Sequence, residues 1–268
     1  MSSSRISSIP IVDRYAEEAR EPGQEVGRLR PISRATTLVG FWSAAIAAII
    51  TIAYAIVQPF TAPPPEWHGM AAYAASFNPI TLTWLYPAFL LPLTFVVVMV
   101  SIHQATPEDD RLWTHLGVVF ACLYGTIEIV NYGLQLLAVS PSIQSGETDG
   151  VAFFAFTNPH GFFAALETLS YPLMLLALLF AAPVFRANGL EQWIRWTFLA
   201  NFGLVLALAL IGVVLGLSLL TIGVITTDAW EVLFAMAMVL VAVFFHRAGE
   251  RAVIGRGGQS SLRRNGGG

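Results

Sequence analysis

Residues 198–225 read FLANFGLVLALALIGVVLGLSLLTIGVI. No side chain from Phe198 to Ile225 ionises, and only Asn201, Ser218 and Thr221 are polar. The run shows neither the 3.6-residue period of a half-buried helix nor the alternation of a strand. An uninterrupted apolar block of about 18 residues or more is long enough to cross a bilayer, where a helix satisfies its own backbone hydrogen bonds.

Five further blocks of this kind lie around it. The spans are expected at Thr37 to Phe60, Thr81 to Ile102, Leu116 to Val139, Phe162 to Phe185, Phe198 to Thr221, and Ala229 to Phe245. Because the fifth block continues to Ile225, its helix is expected to tilt or to run past the hydrocarbon core. The chain of 268 residues is 56% hydrophobic and only 12% charged. Soluble domains carry about 25% charged residues, so an aqueous fold is excluded. The expected fold is an all-α polytopic membrane bundle of six transmembrane helices, with the spans over 37–246 and polar tails at 1–36 and 247–268. The N-terminal tail is expected to be largely disordered, apart from a short helix over Val12 to Arg20.

All fourteen basic residues are arginine. With the N-terminus inside, six fall in the N-terminal tail, five in the C-terminal tail, and Arg111, Arg186 and Arg195 in the inner loops. None is left outside, as the positive-inside rule requires. Both termini are therefore expected in the cytoplasm and the chain in the plasma membrane. Tryptophans favour the headgroup level, and Trp42, Trp113, Trp193 and Trp196 map to inner ends, with Trp67, Trp84 and Trp230 at outer ends or loops.

Start signals fit this topology. Asn78-Pro79 and Asn158-Pro159 each present an N-cap followed by a proline whose missing N–H is harmless at the first helical position. Thr106-Pro107-Glu108-Asp109 has capping-box spacing, and so does Asp228-Ala229-Trp230-Glu231 ahead of the sixth span. Gly212-Val213-Val214-Leu215-Gly216 matches GxxxG, which predicts close helix packing, with a homo-oligomer through Gly212 and Gly216 as the other reading.

The residues that carry chemistry are the ionisable ones inside apolar spans, which are expensive in lipid and turn toward protein. Two qualify, Glu128 and Glu167. Tyr124, Glu128, Asn131 and Gln135 share one helix face, and His160, Glu167, Tyr171 and Met174 form a second stripe on the next span. At 1.5 Å per residue, Gln135 lies roughly 6 Å from the outer end, Glu167 roughly 8 Å, Asn131 roughly 12 Å and Glu128 roughly 16 Å. The two stripes are expected to face each other as an outer-half polar pocket of Glu128, Asn131, Gln135, Glu167 and Tyr171, with at least one glutamate in its neutral acid form. Such a pocket would bind or translocate a small solute or a proton. An interhelical hydrogen-bond network in a non-catalytic assembly subunit is the alternative, and an enzyme acting on a lipid-soluble substrate is the third.

Other classes find no support. Without lysine there is no Schiff-base chemistry, so a retinal protein is excluded. Gly216-Leu217-Ser218-Leu219 is only a fragment of a serine nucleophile motif. There is no HExxH and no P-loop. Cys122, the single cysteine, can form no intrachain disulfide. His103, His115 and His246 map to inner ends without the spacing of a ligand set, and no metal, cofactor or nucleic acid is expected as a partner.

Overall fold

The computed structural model describes residues 32–57, 66–217 and 219–265, with side chains as far as residue 251 apart from 219, 220 and 224. The short helix expected over Val12 to Arg20, and most of the N-terminal tail with it, lies outside the described residues. Every regular element among the described residues is helical. The α-helices are α1 Arg34–Val57, α2 Met70–Ser76, α3 Leu85–Ala105, α4 Arg111–Leu134, α5 Ser140–Ser145, α6 Phe162–Ala181, α7 Leu190–Val214 and α8 Leu219–Asn265. Six stretches are long and apolar enough to cross a membrane: Arg34–Ile56, Pro79–Ala105, Glu108–Ser145, Phe162–Val184, Leu190–Val214 and Thr221–Arg251. The protein is thus a multi-pass helical bundle.

The spans form a ring. Each packs on its neighbours in sequence, and α1 closes the circle against α8. The middle is filled by side chains: Phe95 meets Tyr124 edge-on at 5.7 Å and Phe234 at 5.6 Å, above buried Met99, Met174, Leu178 and Met238. The α1–α8 contact depends on Gly40, where a Cβ would lie 2.7 Å from the ring of buried Phe245.

One end of the ring carries Arg111, Arg186, Arg195 and Arg247, with Arg186 held to Asp110 at 2.7 Å. Exposed Trp42, Trp113, Trp193 and Trp196 belong to the same end. At the opposite, loop-bearing end, Tyr73 of α2 packs with Val139, with Ile143 of α5 and with Ala155 in the segment that follows it.

The fifth apolar block is not one long tilted helix. It folds back on itself: α7 stops at Val214, Gly216 takes the left-handed conformation at φ 67°, and α8 begins at Leu219. The Leu217 N–H donates to Gly212 O and the Gly216 N–H to Val213 O, both at 3.0 Å, which is the glycine-terminated helix end. A Cβ on Gly212 would lie 2.5 Å from Ile222 of the returning helix. Both glycines of the GxxxG match therefore serve the hairpin within this chain.

Three start signals need correction as a result of where the helices begin. Asp228 and Glu231 do not cap the sixth span, because α8 is already two turns old at that point. Trp230 is consequently not interfacial but buried against Phe234 at 5.2 Å. Thr106 Oγ1 donates back to Ile102 O, and Pro107 takes the N-cap of the short turn Glu108–Asp110, so the capping box expected there does not form. Asn78 does cap its turn, accepting from Ile80 N at 3.0 Å. Asn158 accepts the same local bond from His160 N, yet helix α6 starts only at Phe162, after Gly161. The last helix continues beyond the expected boundary at 246, its backbone helical to Asn265.

The third span is longer than expected as well, since α4 passes into α5 through a π-helical turn at Gln135–Val139. There the Ser140 N–H bonds to Gln135 O, five residues back. Pro141 explains this wider turn: it offers no N–H to residue 137, and its ring would press on that carbonyl in an α-helix.

Candidate functional site

The polar stripes of α4 and α6 face each other at Glu128, Asn131, Glu167 and Ser170, whereas His160, expected in the second stripe, precedes α6 and is exposed. Tyr124, Glu128 and Asn131 on α4 and Gln135 at the start of the π-helical turn follow one face and are buried, with Glu128 at 0% exposure. Close α4–α6 packing brings this face against Phe163, Glu167, Ser170 and Tyr171. Gly125 and Gly117, on the same helix, let neighbouring elements approach: a Cβ on Gly117 would lie 3.1 Å from Ala177 O of α6.

At the centre are two carboxyls. Glu128 and Glu167 lie within hydrogen-bonding reach of each other, with Asn131 and Tyr132 beside both. Ser170 Oγ donates to Glu128 Oε1. Asn131 Nδ2 donates to Glu167 Oε1 and to Phe163 O, each at 3.4 Å. Glu128 Oε2 has no hydrogen-bond partner, and neither has Asn131 Oδ1. Glu128 is fully buried and Glu167 half-buried, and two like charges so close with little solvent around them repel strongly, so the arrangement suits a pair that holds a proton between its members.

Depth follows from helix rise. Glu128 stands fifteen residues, roughly 22 Å, beyond the exposed Trp113 at the arginine-bearing end. In a hydrocarbon core about 30 Å thick, that places the pair in the third nearer the loops.

Gln135 and Tyr171 sit at the edges of this cluster and do different things. Gln135 does not touch the pair. Its Nε2 donates to Phe154 O at 2.7 Å, tying the loop after α5 to the top of the bundle, while its Oε1 has no partner. Tyr171 is half-buried, edge-on to Trp230 at 5.1 Å, and faces toward Glu167, Tyr124 and Tyr54.

Several members were not read from sequence. Ser170 and Tyr132 had a signal, since Ser170 is three residues after Glu167 and Tyr132 four after Glu128, the spacings that share a helix face. Spacing alone assigns Glu231 to a cap. It is instead buried on α8, with Oε1 lacking a partner, and it lies close to Tyr54 of α1. The indole Nε1 of Trp230 is also without a partner. Tyr54 of α1 thus has carboxyls of two helices beside it, Glu167 of α6 and Glu231 of α8, with Asp228 exposed one turn before Glu231.

At the other end, His103 Nδ1 is bonded to Thr114 Oγ1 at 2.8 Å and its ring is 5.8 Å from that of His115, while His246 packs on Phe41 instead. Among the described residues no three His, Cys, Asp or Glu side chains converge as a metal-binding set. No family model, curated protein or solved structure matches this chain.

Proposed function

We propose that this chain is a proton-handling protein of the plasma membrane, with both termini in the cytoplasm, whose Glu128–Glu167 pair takes up a proton and passes it on, alone or together with a small solute. One observation carries the reading: two carboxyls meet inside the membrane-spanning segments, within hydrogen-bonding reach of each other. Ionising both of two neighbouring buried carboxyls is costly, and a purely structural lock would be served as well by amides. A proton removes that cost on arrival and restores it on leaving, so the site gains or loses a bound proton with little rearrangement. Asp228 and Glu231, one turn apart on α8, neighbour Tyr54, as Glu167 does, and are proposed as the relay between the pair and the loop-side solvent. The orientation rests on the arginines, all of which fall on one side of a six-span topology.

A second reading has its own observation. The bonds of Ser170 to Glu128, Asn131 to Glu167 and Gln135 to Phe154 each join separate elements, which is what interhelical glue in an assembly subunit does. Glutamine separates the two, because it fills the same space and hydrogen-bonds but cannot carry a proton. Reconstituted in liposomes enclosing a pH-sensitive dye, the wild type is expected to move protons down an imposed gradient. Glu128→Gln and Glu167→Gln should abolish this while unfolding at the wild-type temperature. Wild-type flux no greater than that of empty liposomes, with both variants melting lower, would favour the assembly role.

A further inference from the structure

Away from the carboxyl pair, a groove of about 380 Å³ runs between α1 and α8 at the arginine-bearing end. Its floor is made of small side chains, Ala45, Ala48 and Ala242, with Ile52 and Val239 at its deep end. Its mouth is polar, formed by His246, Arg247 and Glu250. From Phe41 to Ile52 the groove follows α1 for eleven residues, roughly 16 Å. That is about half of a hydrocarbon core some 30 Å thick, the depth of one leaflet. Trp42, 57% exposed and edge-on to Phe41 at 5.1 Å, sets the mouth at headgroup height.

We propose that this groove holds one phospholipid, with an acyl chain along the alanine floor and, at the mouth, a headgroup carrying both a phosphate and a primary ammonium. The choice of headgroup follows from charge. Arg247 and Glu250 are three residues apart on one helix face, both exposed, and His246 Nδ1 lies 3.8 Å from Glu250 Oε1. Arg247 offers a phosphate several N–H donors, whereas Glu250 offers only acceptors and repels a second anion. An ammonium beside the phosphate meets Glu250 with N–H donors, which a trimethylated choline lacks and a glycerol headgroup replaces only with uncharged hydroxyls. An ethanolamine phospholipid fits both charges.

The test is native mass spectrometry of the full-length protein in detergent with equimolar phosphatidylethanolamine, phosphatidylglycerol and phosphatidylcholine. Phosphatidylethanolamine adducts should exceed either competitor by about fivefold, the scale of one exposed ion pair. Glu250→Gln, a surface change, should level the three lipids without removing adducts. Arg247→Gln should weaken all of them, and Ala45→Phe, melting like wild type, should displace them. Equal retention of the three lipids by the wild type, or an unchanged preference in Glu250→Gln, would overturn the proposal. So would a gain of adducts on deleting residues 1–31, which would make the N-terminal segment the occupant of the groove.

Discussion

Ser170 holds one oxygen of Glu128 and leaves the other without a partner, so a single hydroxyl fixes how the deepest carboxyl is presented. Ser170→Ala removes that donor and strands a second buried acceptor, which is expected to lower stability by about 1–3 kcal/mol, measured by thermal unfolding in detergent. The same variant has a spectroscopic signature. At neutral pH the wild type should show the C=O stretch of a protonated acid that disappears in Glu128→Gln, and in Ser170→Ala the band should move to higher frequency as its hydrogen bond is lost. A wild type without this band would mean that Glu128 is ionised and wetted or paired with a cation. At this scale much of the site could be read in advance. Glu128, Asn131 and Glu167 were legible because ionisable and amide groups are rare in apolar blocks, and helix spacing gave them a common face. Glu231 was not, because an acidic residue three positions after an aspartate looks the same in a buried turn as in a capping box.

Among the elements, the turn between α7 and α8 shows where an apolar pattern stops being informative. Residues 198–225 stay hydrophobic throughout, and hydropathy cannot report a reversal when both arms of a hairpin are apolar. The only local signal was Gly216, whose φ of 67° is the conformation that terminates helices. Gly216→Ala is expected to cost about 1–2 kcal/mol, the strain of an L-residue in that region, as a drop in thermal unfolding midpoint. An unchanged midpoint would mean that the turn tolerates another backbone. The π-helical turn at Gln135–Val139 was equally hidden, although Pro141 stood six residues after Gln135. Expected caps followed the chemistry of the residues at Asn78 but failed at Thr106, whose hydroxyl is already bonded to the preceding turn.

For the molecule as a whole, the number and nature of the spans were legible because bilayer thickness fixes how long an apolar run must be. The order of packing was not, since hydropathy says nothing about which helix touches which. Orientation is open to a direct measurement. In a Cys122→Ser background, Asp149→Cys should react with a membrane-impermeant thiol reagent added to intact cells, and Asn188→Cys only after lysis. The reverse pattern would invert the topology. The ring also bears on how the protein is made. Its first helix finds its closest partner in its last, Gly40 receiving Phe245 and Thr37 lying beside Gly249. Translation delivers α1 well before α8, so a nascent chain must hold an open seam along α1, facing lipid or an insertion chaperone, until α8 has emerged. A premature stop before α8 would leave that seam permanently exposed, making such truncated products natural targets for membrane proteolysis.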